Sequence, residues 1–350
     1  MEYTIDYTIE GHMLKLKDGS IWEVKGLIHP KNSAIVKPKA IPHSEGLCIN
    51  SSGERYRFLR SPSDRFEVIS GRYRSFITYI PFLDAIDLLV EGKDVERIYD
   101  PTRSLLFMMY GEEYSETQYT LKDLLELISK ESGVPYESLG VSGNIAAGIE
   151  CPDEQLEVIV YGENEGLNVY MSVRRLMMKN KVLERLSQED MERLYVEYGF
   201  EGRMDYNLYL KLMNRRFLVG SFKGYKYNIR LIPRRSRINP KTISVKRIGR
   251  ATVIARIIDA SQSIFTPSKY QVEIESVAEG PVVTKLVSEI YTLDPRFREL
   301  LWDGVEALVE GMVEKVVCKG KVEEEYYRMN LYSQTHTMIP LRRPSGSFEP

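Results

Sequence analysis

Between Gly140 and Gly162 the chain holds residues whose types and spacing could do phosphoryl-transfer chemistry. Gly140-Val-Ser-Gly-Asn144 reads as a glycine-punctuated turn entering a short helix, and such a turn offers backbone N–H groups to phosphates. Glu154-Gln-Leu-Glu-Val-Ile-Val-Tyr-Gly162 follows as a short, largely apolar strand of the buried kind. Phosphoryl transfer needs carboxylates that hold Mg²⁺ against the phosphates, because little else neutralises the developing charge. On a strand, residues i and i+2 share a face roughly 6.5 Å apart, close enough for two carboxylates to share one metal. Here those positions are Gln155 and Glu157. Glu157 is an acceptable ligand, whereas the neutral amide of Gln155 coordinates Mg²⁺ weakly. Asp153 faces the same side of an ideal strand as Glu157 but about 13 Å away, so it serves only by curling back from a loop.

A second chemical signal is electrostatic. From Lys211 to Arg256 there are fourteen Lys and Arg and no Asp or Glu, in a chain whose net charge is −2. Such a local excess attracts polyanions, and Arg215, Arg216, Lys223, Arg234, Arg235 and Arg237 are the candidates to track a nucleic-acid backbone. Phe222, Tyr225 and Tyr227 are interleaved and could stack bases. The competing reading is a solvated basic face paired with acidic residues such as Glu289, Glu299, Asp303, Glu306, Glu310, Glu314 and Glu323 to Glu325. His29, His43 and Cys48 are a weak alternative set of metal ligands.

The stretch from Gly140 to Gly162 resembles the DNA polymerase β-like nucleotidyltransferase superfamily, and the whole chain is similar to archaeal proteins predicted to be nucleotidyltransferases. In those, a Gly-Val-x-Gly-Ser turn leads to a strand Ser-Asp-Ile-Asp-Leu-x-Val-Tyr-Gly. The spacing between turn and strand agrees, and Val158 to Gly162 match. The similarity extends through Asp18-Gly-Ser-Ile-Trp-Glu-Val-Lys-Gly-Leu-Ile-His-Pro30 and covers Ile248-Gly-Arg-Ala-Thr-Val253. Its departures fall on the functional positions. Gln155 stands where the first metal-binding Asp belongs, Glu157 where the second belongs, and Asn144 replaces the Ser. A third carboxylate belongs on the strand 225–232, which offers Lys226, Asn228 and Arg230 instead. The resemblance implies a nucleotidyltransferase-fold protein that binds a nucleotide or nucleic acid, with transferase activity weak or lost. Should chemistry survive, Glu157 holds Mg²⁺ with Asp153 as displaced second ligand and Gln155 at the altered catalytic position. Gly143, Asn144, Lys226 and Arg230 would then meet the phosphates. The alternative is a non-catalytic nucleic-acid-binding or scaffold protein that works through the basic segment 211–256.

The elements that must position these residues suggest an α/β (α+β) chain in three parts. Residues 1–100 read as mostly β, with alternating segments, a hairpin turn at Asp18-Gly19 and helical pieces at 82–90 and 95–99, together a small barrel or strongly curved sheet. Residues 101–235 read as the nucleotidyltransferase-like part, a central mixed sheet with helices. There Thr120 looks like an N-cap, Gly133 a terminator, and Ser187 the cap of a helix ending at Gly199. Further helices are expected over 167–178 and 205–217. Residues 241–341 show five candidate strands, at 251–258, 270–277, 282–293, 305–317 and 326–332, with a short helical insert at 296–301. That pattern suits a Greek-key barrel of the oligonucleotide-binding type. Residues 342–350 read as a disordered tail.

The totals narrow the classes. At 350 residues the chain is too long for one ordinary core, and 43% hydrophobic with 28% charged residues describes a folded globular protein. Cys48, Cys151 and Cys318 form no CxxC spacing, an odd count that argues for a reducing compartment. The acidic, alternating start carries no signal-peptide pattern, and no apolar run approaches the roughly 18 residues of a membrane span. A cytoplasmic protein without a membrane partner is the expectation.

Overall fold

The computed structural model describes residues 4–111, 115–152, 154–180, 182–320 and 322–341. The fold is mixed α+β and divides into two compact units. The first takes in the chain up to Ile80, then Ile86–Leu186 and Phe217–Asn239. The second takes in Pro81–Ala85, Ser187–Arg216 and the chain from Pro240 onward. The expected tail at 342–350 lies outside the described residues.

The first unit opens with strands β1 (Met13–Leu16), β2 (Ile21–Val24), β3 (Ser33–Pro42), β4 (Cys48–Asn50) and β5 (Arg55–Phe58). Helix α1 (Pro62–Arg72) follows, capped by Ser61 and Asp64 in a reciprocal capping box. Strands β6 (Ile77–Ile80), β7 (Ala85–Glu91) and β8 (Val95–Tyr99) come next. Of the helical pieces expected at 82–90 and 95–99, only a 3₁₀ turn at Pro81–Leu83 is helical; Ala85–Glu91 and Val95–Tyr99 are strands. Short apolar runs do not declare their period, and pairing of β7 with β3 and of β8 with β1 decides it. Together with β10 (Ile149–Glu150), these strands form an open nine-stranded sheet among the described residues, running β10-β4-β5-β3-β2-β1-β8 with β7 and β6 branching from β3. Among the described residues no pairing joins β10 to β8, so of the expected small barrel or strongly curved sheet the closed barrel is not formed. Its core is Leu14, Leu16, Trp22, Val24, Val36, Val90 and Val95. Trp22 sits edge-on to Tyr73 at 4.9 Å and to Phe76 at 5.6 Å, and its indole N–H donates to Ser20 Oγ.

Helix α2 (Pro101–Met109) leads to α3 (Glu116–Ser132). Ser115, not Thr120, caps α3; Thr120 lies one turn inside and donates to the Glu116 carbonyl. Gly133 ends the helix at φ 71°, as its type predicts. Leu121, Leu124, Leu125 and Ile128 form the buried stripe. Strand β9 (Leu139–Val141), the short α4 (Gly143–Ala146), β11 (Gln155–Tyr161) and α5 (Glu163–Arg175) follow in turn. After them come β12 (Val219–Phe222) and β13 (Tyr225–Ile232). The second sheet runs β12-β13-β11-β9, with β11 parallel to β13 and antiparallel to β9.

Nothing separates the two sheets into domains near residue 100. Ile9 and Leu27 from the first hundred residues share one buried cluster with Ile159, Tyr161 and Ile232. Dividing the chain there would expose that cluster, at about 1.5–3 kcal/mol per large side chain. A disulfide between Cys48 and Cys151 adds a covalent link beside the β4–β10 pairing. The expectation that the cysteines form no framework is thereby corrected: the partners are 103 residues apart, which no spacing motif reveals. The bond also removes the cysteine argument for a reducing compartment.

The second unit contains α6 (Gln188–Glu197), α7 (Tyr206–Met213) and β14 (Ile243–Asp259). Strands β15 (Ser268–Glu279), β16 (Val287–Thr292), β17 (Glu306–Lys319), β18 (Glu323–Asn330) and β19 (Thr337–Pro340) complete it. Ser187 caps α6 as expected. The five anticipated strands are present, but the one expected from 282 begins at Val287 after a 3₁₀ turn, Val282–Leu286. The sheet order is β14-β15-β16-β18-β17-β19, and β14 pairs with β17 as well as β15, which closes five strands into a ring. Within it β16 and β18 run parallel. Among the described residues no helix is long and apolar enough to cross a membrane.

Two features of the first unit respond to solution conditions. His29 is buried between the Gly26 carbonyl, 3.2 Å from Nε2, and the Ile35 N–H, which donates to Nδ1 at 3.2 Å. Burial, with Arg237 and His12 nearby, outweighs the Gly26 bond and pushes the imidazole down to about 3. An unfolded imidazole titrates near 6.5. Native stability is therefore whole above about pH 6.5 and falls as pH drops toward 3, by about 1.4 kcal/mol per pH unit from this residue. Urea unfolding across pH should show the slope, and His29→Gln should flatten it. Reducing the disulfide, with its 103-residue separation, should lower unfolding free energy by about 4–5 kcal/mol in the same assay, and alkylation before reduction should label Cys318 alone.

Candidate functional site

Parallel pairing of β11 with β13 sets Glu157 opposite Asn228 and Ile159 opposite Arg230. The guanidinium of Arg230 thereby reaches the carboxylate of Glu157, with Nη2 3.0 Å from Oε2. It does not stop there. Nη1 donates to Glu10 Oε1 at 2.9 Å and also to Glu23 Oε1, and Nη2 donates to Ser142 Oγ at 3.0 Å. Two lysines complete the set. Lys25 lies 2.5 Å from Glu10 and 3.8 Å from Glu23, and Lys39 lies 3.4 Å from Glu23 and 3.7 Å from Glu157. Three carboxylates thus face three cations. Glu10, Glu23, Glu157 and Arg230 are all buried.

The turn before β11 packs against this cluster. Ser142 Oγ donates to the Gly11 carbonyl at 2.7 Å while accepting from Arg230. Gly143 has φ 70°, and a Cβ there would sit 2.7 Å from Glu157 Oε1. Only glycine allows both that backbone and that approach. Asn144 is buried, and its side-chain amide donates to Glu154 Oε1 at 3.3 Å. Glu154 also accepts from the Cys151 N–H.

Buried charges are tolerated only when they are paired and hydrogen-bonded. Burial works against the charged form of Glu23, yet Arg230, Lys25 and Lys39 hold its carboxyl well below the usual carboxylate range. Burial likewise disfavours protonated Lys39, and Glu157 and Glu23 overcome it, so the ammonium is held above its ordinary value. For Arg230 too, burial is outweighed by Glu23, Glu157 and Glu10, which raise it. The set is self-neutralising, and it does not fit Mg²⁺: the carboxylates that would face a metal already face fixed cations. Among the described residues no group of His, Cys, Asp and Glu is arranged to hold a metal. Asp153, the expected displaced ligand, lies outside the described residues. Gln155 is half-buried at the start of β11, in register with Lys226. His29 and Cys48 are committed to the backbone and the disulfide, so the His29, His43 and Cys48 set is not a ligand group.

The basic segment divides between the units. In the second, Arg216 is buried and donates to the carbonyls of Pro295 and Arg298, and Arg215 stacks 3.6 Å over the Trp302 ring. In the first, Lys223 pairs with Asp123, and Arg235 donates to the Glu137 carbonyl over the Tyr161 ring. Arg234 bonds Ser236, and Arg237 bonds the carbonyls of Ile5, Thr8 and Pro30. Arg230 and Arg216, expected to meet phosphates, are thus consumed internally, because each is buried where only a protein acceptor can satisfy it. Phe222 and Tyr227 are also buried and present no face to a base; Tyr227 donates to the Phe217 carbonyl.

Sequence reasoning missed Glu10, Glu23, Lys25 and Lys39. A signal existed: Glu23 lies in Ile21-Trp-Glu-Val24, a strand buried at every position. A carboxylate in such a strand requires a partner. Lys37 and Lys39 interrupt the apolar β3 in the same way. Arg230→Met should destabilise the protein by about 3–5 kcal/mol, since it strands three buried carboxylates. Replacing Gly143 with Ala should also destabilise it; both are measured by urea unfolding at neutral pH.

The chain is 18% identical over 325 residues to the uncharacterized protein MJ1086 of Methanocaldococcus jannaschii, covering 90% of this chain and 93% of that protein. No family model matches the chain, and no solved structure matches it.

Proposed function

We propose that this chain is a nucleotidyltransferase-like binding protein that has exchanged a divalent-metal site for an internal guanidinium. It binds a nucleotide or nucleic acid without metal-dependent transfer. The observation that carries this reading is Arg230, which reaches Glu157 from the neighbouring strand where a third carboxylate would otherwise stand. The arrangement around it supports the reading: a turn and short helix precede the strand bearing Glu157, and β9, β11 and β13 lie side by side. An arginine supplies positive charge but not the open coordination positions that activate a leaving phosphate, so binding outlives transfer.

The second reading, nucleic-acid binding through the basic segment, has one favourable observation. The five-strand ring of the second unit has the Greek-key character of oligonucleotide-binding barrels. Its electrostatics oppose it. Glu273, Glu275 and Glu279 on β15 and Glu323 to Glu325 on β18 are exposed, and they would repel a phosphate backbone. Arg256 is drawn to Glu275 and Glu306 instead.

Thermal unfolding with nucleoside triphosphates and Mg²⁺ or Mn²⁺ separates the readings, because a bound ligand raises the transition temperature by mass action. The expected result is a shift with triphosphate that does not depend on metal. In Arg230→Ala the same metals alone should raise the lowered transition, since three carboxylates are released. A wild-type shift requiring metal and triphosphate together would sink the proposal. A shift with single-stranded RNA or DNA alone, abolished by salt, would favour the second reading.

A further inference from the structure

The segment Asp18-Gly-Ser-Ile-Trp22 takes no part in the network around Arg230, yet its polar side chains are joined in a chain of their own. The Trp22 indole N–H donates to Ser20 Oγ at 2.8 Å, and Ser20 Oγ donates to Asp18 Oδ1 at 2.5 Å. The Ser20 N–H donates to the same Asp18 oxygen at 3.0 Å. Asp18 Oδ2 accepts from the Tyr73 hydroxyl at 2.7 Å and lies 3.2 Å from Arg72 Nη2. Both oxygens of Asp18 are therefore occupied. Arg72, the last residue of α1, is held at one corner of its guanidinium, and its other donors have no partner among the described residues.

Beside this chain lies an open cleft of about 300 Å³ lined by Lys17, Asp18, Arg72, Tyr73, Phe76 and Asp94. The Lys17 N–H donates to the Asp94 carbonyl at 3.0 Å, which brings the two residues together at the cleft. Their side chains do not pair with each other, and neither has a hydrogen bond or ion pair among the described residues. The Tyr73 and Phe76 rings stack at 5.7 Å and supply an apolar wall. Lys17 and Arg72 are exposed and Asp94 is half-buried, so a ligand can arrive from solvent.

Two cations and two carboxylates line the cleft, and its formal charge is zero. A simple anion meets Asp94 there and a simple cation meets Lys17 and Arg72, so neither is favoured. A ligand that carries both signs can match both. A guanidinium fork suits a carboxylate, and a carboxylate with no internal partner suits an ammonium.

We propose that this cleft binds an α-amino acid with an apolar side chain. Arg72 and Lys17 take its carboxylate, Asp94 takes its ammonium, and the Phe76 and Tyr73 rings face its side chain. Asp18 orients Arg72 and leaves the ligand to the others. A cleft of this volume is at the small end for ligand sites, which suits a molecule of amino-acid size. The proposal draws nothing from the nucleotide reading, and the failure of either leaves the other standing.

Titration calorimetry on the full chain at pH 7 tests it, with leucine and phenylalanine against 3-phenylpropionate, which lacks the ammonium, and phenethylamine, which lacks the carboxylate. At millimolar concentrations leucine and phenylalanine should bind, and each truncated analogue should bind about tenfold or more weakly than phenylalanine. Asp94→Asn should weaken phenylalanine by a similar factor and remove its advantage over 3-phenylpropionate. Because the Asp94 side chain has no partner within the fold, Asp94→Asn should unfold at the wild-type temperature, which separates lost binding from lost fold. No heat with either amino acid overturns the proposal. So does a truncated analogue that binds as well as phenylalanine, or phenylalanine binding indifferent to Asp94→Asn.

Discussion

Arg230 joins parts of the chain that share no local reason to meet. Its guanidinium bonds Glu10, Glu23 and Glu157 at once, and the first of these is 220 residues away. Each charge placed inside a protein loses its hydration, so such a group persists only where the whole set closes. Closure explains the neighbours. Lys25 and Lys39 restore neutrality, the Gly26 N–H occupies the second oxygen of Glu10, and Gly143 gives up a side chain so that Glu157 can approach. The register between β11 and β13 is pinned by the same contact, because a one-residue slip would turn Arg230 to the other face.

The same closure shapes what the site can do. A carboxylate that faces a fixed guanidinium cannot also face a metal without displacing it. The cluster is therefore better suited to hold a structure together than to turn over a phosphate. Burying this much charge also makes the first unit depend on long-range order: the β-rich start of the chain and the βα segment after it share both a core and an ion network.

The run of fourteen cations between Lys211 and Arg256 shows how a linear charge pattern misleads. Local net charge counts residues, but binding depends on which of them are exposed. Arg216 and Arg230 point inward, Arg237 ties down the segment near Thr8, and Arg215 lies on an indole. Arginine is suited to these roles because its planar fork of donors can satisfy several carbonyls or carboxylates together. The paucity of acidic residues in the segment reflects that their partners come from distant stretches of chain.

Much of the fold was legible from residue order. The turn at Asp18-Gly19, the Ser187 cap, the Gly133 terminator, the buried strand around Glu157 and the five strands of the second unit all follow from local rules of backbone conformation, capping and alternation. The adjacency of the strands bearing Glu157 and Arg230 was also within reach. Local rules could not decide whether the apolar runs at 85–91 and 95–99 were helix or strand, since that waited on partner strands at 33–35 and 13–16. Nor could they reveal the disulfide, the shared core across residue 100, or the recruitment of Glu10 and Glu23 to Arg230. Those depend on which side chains meet after the chain has folded, where desolvation makes pairing obligatory.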